Sequence, residues 1–222
     1  MNKSYIEKLN YEYIKYNLEE QERDNLISEN NIENRDVKGY HGREILELLQ
    51  NADDAYKKQL EISSIVKNEN VSVLIEYKNS ILTISNTGTT FDQDGVKAIV
   101  QGNNSPKGSS LIGNKGTGFR SVLNWANKVQ IYSGDFNLEF SIDIASKEFE
   151  KIKDYPQIKK QLKKNKNLHI PMLSIGKDIE PIEKQYDTVI KLYIKQDSQK
   201  DDFNIEKQLN NIDENLCYFC HV

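Results

Sequence analysis

Cysteine is almost missing from this chain: its 222 residues include two, Cys217 and Cys220, both near the end. Histidine is nearly as scarce, with three, and only His41 and His169 lie outside that terminal stretch. A zinc centre built on Cys217-Tyr-Phe-Cys220-His221 would need a further ligand pair that the sequence does not supply. As spelling, C-x-x-C-H is a haem-attachment pattern, but that chemistry belongs to exported proteins, and the N-terminus is polar with no apolar signal core. The stretch 216–220 reads instead as a buried apolar segment that begins something beyond Val222, as in the front part of a longer protein. No apolar run approaches the roughly 20 residues needed to cross a bilayer. No charge excess exists either: 30 basic and 34 acidic residues leave a net charge of −4, with no whole-chain bias toward nucleic acid or anionic lipid. No internal repeat is found. These absences predict a cytoplasmic protein with one large domain, or one domain with tails.

What is present is concentrated in three short stretches. Residues 44–55, Glu-Ile-Leu-Glu-Leu-Leu-Gln-Asn-Ala-Asp-Asp-Ala, set an acid and an amide into a helix that otherwise reads as core. At 100° per residue, Arg43, Glu47, Asn51 and Asp54 form a polar stripe beside the apolar stripe of Ile45, Leu48, Leu49, Ala52 and Ala55. Taken alone, this also fits an ordinary amphipathic helix with a solvated polar face.

Residues 81–91, Ile-Leu-Thr-Ile-Ser-Asn-Thr-Gly-Thr-Thr-Phe, read as an alternating strand running into an Asn-x-Gly turn. Gly88 suits a sharp bend or the close approach of a ligand; a plain turn has the same composition. Residues 111–123, Leu-Ile-Gly-Asn-Lys-Gly-Thr-Gly-Phe-Arg-Ser-Val-Leu, put Gly113, Gly116 and Gly118 ahead of an apolar helix expected to reach residue 125. The unpartnered amides at such a helix start favour a phosphate. Neither the dinucleotide fingerprint nor the Walker pattern is satisfied.

The order of these pieces is more specific than any one of them. A Glu-x-x-x-Asn helix, a strand ending in Asn-x-Gly, then Ile-Gly-x-x-Gly-x-Gly-Phe, resembles the GHKL ATPase superfamily. That superfamily includes gyrase B, the ninety-kilodalton heat-shock chaperone, sensor histidine kinases and MutL. Glu47-Leu-Leu-Gln-Asn-Ala-Asp-Asp-Ala55 and Ile112-Gly-Asn-Lys-Gly-Thr-Gly-Phe-Arg-Ser-Val122 look most like the chaperone and sacsin branch. Tyr186-Asp-Thr-Val-Ile-Lys-Leu-Tyr-Ile194 is similar to the late Thr-bearing strand that closes the pocket. The resemblance covers residues 38–195 and implies a Bergerat-type two-layer α/β sandwich: a mixed β-sheet with helices on one face.

Phosphate hydrolysis asks for charge neutralisation, an aligned water and a closed site. The resemblance implies that Glu47 is the catalytic base and that Asn51 holds Mg²⁺ through its amide oxygen, a hard ligand that leaves the ion its waters and phosphate oxygens. It places Asp54, Ala55 and Lys58 along the nucleotide pocket, although a helix lysine is more often merely solvated. Gly88 and Phe91 belong to the same pocket. The backbone amides from Lys115 through Gly116, Thr117 and Gly118 to Phe119 would cradle the β- and γ-phosphates. The Lys115 ammonium would help as a point charge. The Gly/Asn/Ser-rich residues 101–112 would form an ATP lid, with Lys107 reaching the γ-phosphate on closure. Thr188 would meet the base directly or through water.

Two departures stand out. Asn86 replaces the aspartate that most of the superfamily presents to the adenine amino group. Its oxygen can still accept, with less charge assistance, while a flipped amide would suit a guanine carbonyl. Thr90 stands where the chaperone branch has glycine, which narrows the pocket mouth.

The expected organisation is a helical extension over 1–37, an ATP-binding domain over 38–197, and an exit helix with the start of a further region over 198–222. Within the extension, residues 4–30 read as one acidic, tyrosine-rich helix and 32–40 as a polar connector. The main helix is expected over 41–66, strands over 71–77 and 81–85, and a short helix over 92–100. A hairpin of 128–133 and 137–144 turns at Gly134. A lysine-rich helix at 157–164, a strand at 188–195 and a helix at 202–218 complete the expectation.

The expected function is a Mg²⁺-dependent domain that binds ATP and hydrolyses it slowly, its closure driving dimerisation or coupling to attached domains. Some bacterial relatives of this type belong to large multidomain defence proteins. The rivals are a nucleotide-gated interaction module without turnover, a histidine-kinase-like catalytic domain, and a DNA clamp. The kinase would need a phospho-acceptor partner, and the clamp a transducer domain not seen here.

Overall fold

A computed structural model of the chain describes residues 4–19, 24–39, 44–62, 72–101, 119–195 and 205–210. Six strands form one sheet: β1 (Val73–Lys78), β2 (Ile81–Asn86), β3 (Ala126–Ser133), β4 (Phe136–Ser141), β5 (Gly176–Asp178) and β6 (Thr188–Ile194), in the order β1-β2-β6-β3-β4-β5. Every pairing among them is antiparallel, so the mixed sheet expected from sequence is corrected. Two-residue turns at Asn79-Ser80 and Gly134-Asp135 make antiparallel hairpins of the first and second strand pairs. Asn79, Ser80 and Gly134 take the positive φ that such tight turns demand.

Register gives the sheet one dry face and one mixed face. Leu82 lies opposite Leu192, and Ile84 opposite Ile190; Val129 and Ile131 lie opposite the same two residues from the other side. These side chains, with Leu138 and Phe140 of β4, are buried in the main core. The alternate face is mixed: Thr83, Lys191, Gln130 and Glu139 are half-buried, while Ser85, Val189 and Tyr132 toward its other end are buried. Period-2 patterning of this kind specifies a sheet covered on one side.

Helices supply the cover. α3 (Glu44–Ile62) contributes Ile45 and Leu48, and α4 (Gln93–Gln101) contributes Val96, Ile99 and Val100. α1 (Tyr5–Leu18) adds Ile6 and Leu9 to this same core. Its start is fixed by a capping box, in which Ser4 accepts the Glu7 N–H and Glu7 accepts the Ser4 N–H. A second, smaller core gathers Leu26, Ala145, Ile152, Ile158, Ile170 and Ile175. It lies between α2 (Asn25–Gly39), α5 (Ile142–Ile152) and α6 (Pro156–Lys164). α7 (Ile205–Asn210) buries Ile205 in the main core.

Several boundaries differ from expectation. Residues 4–30 are two helices rather than one, and the polar stretch over 32–40 is largely the second half of α2. The strand expected to run to residue 144 stops at Ser141, whose hydroxyl accepts the Ile144 N–H and caps α5. After Phe119 comes a five-residue 3-10 segment, Arg120–Asn124, and then β3, instead of an α-helix to residue 125. Short β5 was not foreseen. Among the described residues no helix is long and apolar enough to cross a membrane. The C-x-x-C-H stretch, Arg43 and His41 lie outside the described residues.

Candidate functional site

The 19-residue α3 runs alongside the dry face where β2 ends, and between them lies a cavity of about 600 Å³. Eight residues singled out by sequence line it: Asn51, Asp54, Ala55 and Lys58 from α3, Asn86 from β2, then Phe91, Phe119 and Thr188. Leu48, Ile84, Ile99 and Ile190 give it an apolar floor. The volume falls in the range of small-molecule sites, as does the mixture of apolar wall and few polar groups.

The turn leaving β2 is held in place by four hydrogen bonds to three residues. The Thr89 N–H donates to the Ala55 carbonyl of α3 at 3.0 Å, and the Gly88 N–H donates to the Asp187 carboxylate at 3.0 Å. Thr87 and Ser72 exchange two further bonds: the Thr87 N–H to the Ser72 carbonyl, and the Ser72 N–H to the Thr87 hydroxyl. Gly88 does not line the cavity. It lets the turn touch the helix, since its φ is +126° and an added Cβ would lie 2.9 Å from Ala55 C and Tyr56 N.

Asn86 and Thr188 face one another across β2 and β6 and are 5% and 4% exposed. The Asn86 amide nitrogen donates to the Thr87 carbonyl at 3.0 Å. A carbonyl can only accept, so this bond fixes which end of the amide is which and leaves Oδ1 as the acceptor. Thr188 Oγ1 lies 2.5 Å from Ser133 Oγ, which also accepts the Phe91 N–H at 2.9 Å. One buried chain of hydroxyls and amides thus sets both Thr188 and the segment leading into Phe91. Ser133 carried no sequence signal; only the β3–β6 register, which puts it opposite Thr188, reveals it.

At the mouth, Lys58 Nζ and Asp92 Oδ2 meet at 3.0 Å, bridging α3 to the start of α4. Both are exposed, so the pair contributes little to stability. Asp92 is held below the usual carboxylate range chiefly by the Gly95 N–H, which it accepts at 2.8 Å, and then by Lys58. Thr90, expected to narrow the mouth, lines the cavity wall.

Glu47 sits one helical turn before Asn51 and is half-buried, but it is not among the residues lining the described cavity. Lys107, Gly113, Lys115, Gly116, Thr117 and Gly118 lie outside the described residues. Among the described residues, no three His, Cys, Asp or Glu side chains converge on a point that could hold a metal by themselves. No protein-family model matches the chain, and no curated protein matches its sequence.

Proposed function

We propose that this chain is a nucleotide-binding domain of GHKL type that binds ATP with Mg²⁺ in the α3–β2–β6 cavity and hydrolyses it slowly. One observation carries the reading. Eight of the residues chosen as an ATP site on motif order alone, from Asn51 to Thr188, line one cavity, while Glu47 and Gly88 do not. The eight come from a helix, two strands, the segment before α4 and the residue before the 3-10 segment, which local sequence does not bring together.

The polar groups suit the ligand. Asn86 Oδ1, its amide orientation fixed by Thr87, would accept the 6-amino group of adenine, where guanine carries a carbonyl that this oxygen cannot pair with. The Thr188 hydroxyl stands beside it at the same depth. Phosphates would run from there toward Phe119, where the glycine-rich residues join the described chain. Asn51, on the wall between, would hold Mg²⁺ by one neutral oxygen, the ion taking its other ligands from water and phosphate. The metal would supply charge neutralisation of the triphosphate. Glu47, one turn back, would orient and deprotonate water entering from the phosphate end.

The second reading is a nucleotide-gated interaction module without turnover, favoured by the position of Glu47 outside the described cavity wall. Calorimetric titration with ATP, with and without Mg²⁺, tests the proposal. Wild type binds ATP more tightly with the metal, and Asn51→Ala loses that difference. Equal metal dependence in the variant would remove Asn51 from the role.

A further inference from the structure

The N-terminal helices reach the wall of the cavity through a buried charged chain that nucleotide binding does not itself require. Arg120 is 5% exposed and follows Phe119 directly. Its Nη2 donates to the carbonyls of Ile99 at 3.3 Å and Val100 at 3.4 Å. Both belong to the last turn of α4, whose carbonyls lack helical partners and carry the negative end of the dipole. Ile99 and Phe119 both line the proposed nucleotide cavity, so Arg120 ties together two parts of its wall.

α2 packs against the 3-10 segment that carries Arg120, and the Arg120 charge acts to lower the carboxyl of Glu29, an α2 residue 8% exposed. Glu29 accepts the Tyr13 hydroxyl from α1, and the Tyr13 carbonyl in turn accepts the Asn17 amide N–H at 3.1 Å. The polar chain thus runs from α1 through α2 and Arg120 to the cavity wall at Ile99 and Phe119. A buried cation and a buried acid are retained where each offsets the other's desolvation. An arginine needed only to cap α4 would not call for an acid donated by a different helix.

We infer that Arg120 is a positioning residue of the nucleotide site, and that the N-terminal helix pair sets its position through Glu29 and Tyr13. This rests on the nucleotide reading above. Moving α1 and α2, or neutralising Glu29, loosens Arg120 and lowers affinity for ATP without touching a group that contacts the ligand. Burial pushes the Glu29 carboxyl up to about 7, with Tyr13, Arg120 and Asn17 opposing that rise and Glu33 of the same helix adding to it. The charged groups around it are Arg120 from the 3-10 segment and Glu33 from α2; Tyr13 from α1 is kept neutral, pushed up chiefly by its own burial. Charged Glu29 holds Arg120, so the coupling strengthens as pH rises through neutrality.

The experiment measures ATP–Mg²⁺ affinity of the full chain between about pH 6 and pH 8, for wild type, Glu29→Gln, Tyr13→Phe and Arg120→Lys. Comparing variants with wild type at each pH cancels the ionisation of the ligand. Glu29→Gln is expected to weaken binding about tenfold at high pH and to flatten the pH profile. Tyr13→Phe, which keeps the ring and the packing, has a smaller effect that is non-additive with Arg120→Lys. Hydrogen exchange in the ligand-free protein should quicken at residues 99–101 and 119–124 in Glu29→Gln. A wild-type affinity and pH profile retained in both Glu29→Gln and Arg120→Lys would overturn the inference while leaving the nucleotide site standing. Failure of wild type to bind ATP would overturn both.

Discussion

Replacing Gly88 with alanine tests how the site is assembled, because one methyl group must fit between the turn after β2 and the middle of α3. Two costs add. At φ +126° an L-residue sits in a sparsely populated region, worth about 1–3 kcal/mol. The new Cβ would also lie 2.9 Å from Ala55 C and Tyr56 N and 3.0 Å from Ala55 O. These are helix backbone atoms that cannot rotate aside, so overpacking adds about 1–3 kcal/mol. A total of about 2–6 kcal/mol is a large share of a typical domain stability of about 5–15 kcal/mol. Relief by moving the turn outward would stretch the Thr89-to-Ala55 bond and carry Asn86, two residues upstream, away from Thr188. Nucleotide affinity should therefore fall by about tenfold or more along with stability. Gly134→Ala is the control. Its φ of +55° is less strained, and its nearest neighbour is Thr90 Oγ1 at 2.8 Å, a side chain that can turn away. That variant should cost about 1 kcal/mol. Urea unfolding followed by circular dichroism reads both, provided the slope is unchanged. A Gly88→Ala midpoint equal to wild type, or a costlier Gly134→Ala, would refute the contact argument.

Three further outcomes follow from the site and its surroundings. Glu47→Ala should abolish phosphate release from ATP while leaving the dissociation constant within a few-fold; turnover at the wild-type rate would mean the base lies elsewhere. Asn86→Asp should raise the preference for ATP over GTP by charge assistance, while the free protein loses the bond to the Thr87 carbonyl; an equal or reversed ratio in competition binding would show that the base is held differently. His169 is raised above its ordinary value of 6.5, first by its bond to Glu33, so its contribution to stability is present below that value and is lost as pH rises through the folded one. Urea midpoints measured across this window should show that loss in wild type and not in Glu33→Gln; parallel curves would contradict it.

Motif order was readable because the site depends on short, chemically marked stretches, and strand register then brings them together. Asn86 and Thr188 are a hundred residues apart in sequence yet directly opposed in the sheet, and that opposition follows from the alternation of Leu82 and Ile84 against Leu192 and Ile190. What escaped the sequence depends on tertiary contacts. The Asn-rich segment Asn25–Gly39 has weak apolar periodicity, and its helix is held from outside: Glu29 by Tyr13, and Asn30 by the His169 backbone through bonds of 2.8 and 3.2 Å. The start of α5 reads Ile-Asp-Ile, which alternates like a strand; only the Ser141 cap turns it into a helix. The expectation of a mixed sheet came from family resemblance rather than from any residue, and no parallel pairing occurs among the described strands.

The most direct measurement is a crystal structure of the chain with Mg²⁺ and a non-hydrolysable ATP analogue. The account predicts the base between Asn86 and Thr188, with its amino group on Asn86 Oδ1, and the metal about 2.1 Å from the Asn51 amide oxygen. A nucleotide bound elsewhere on the molecule, or one in this cavity with its metal remote from Asn51, would contradict it.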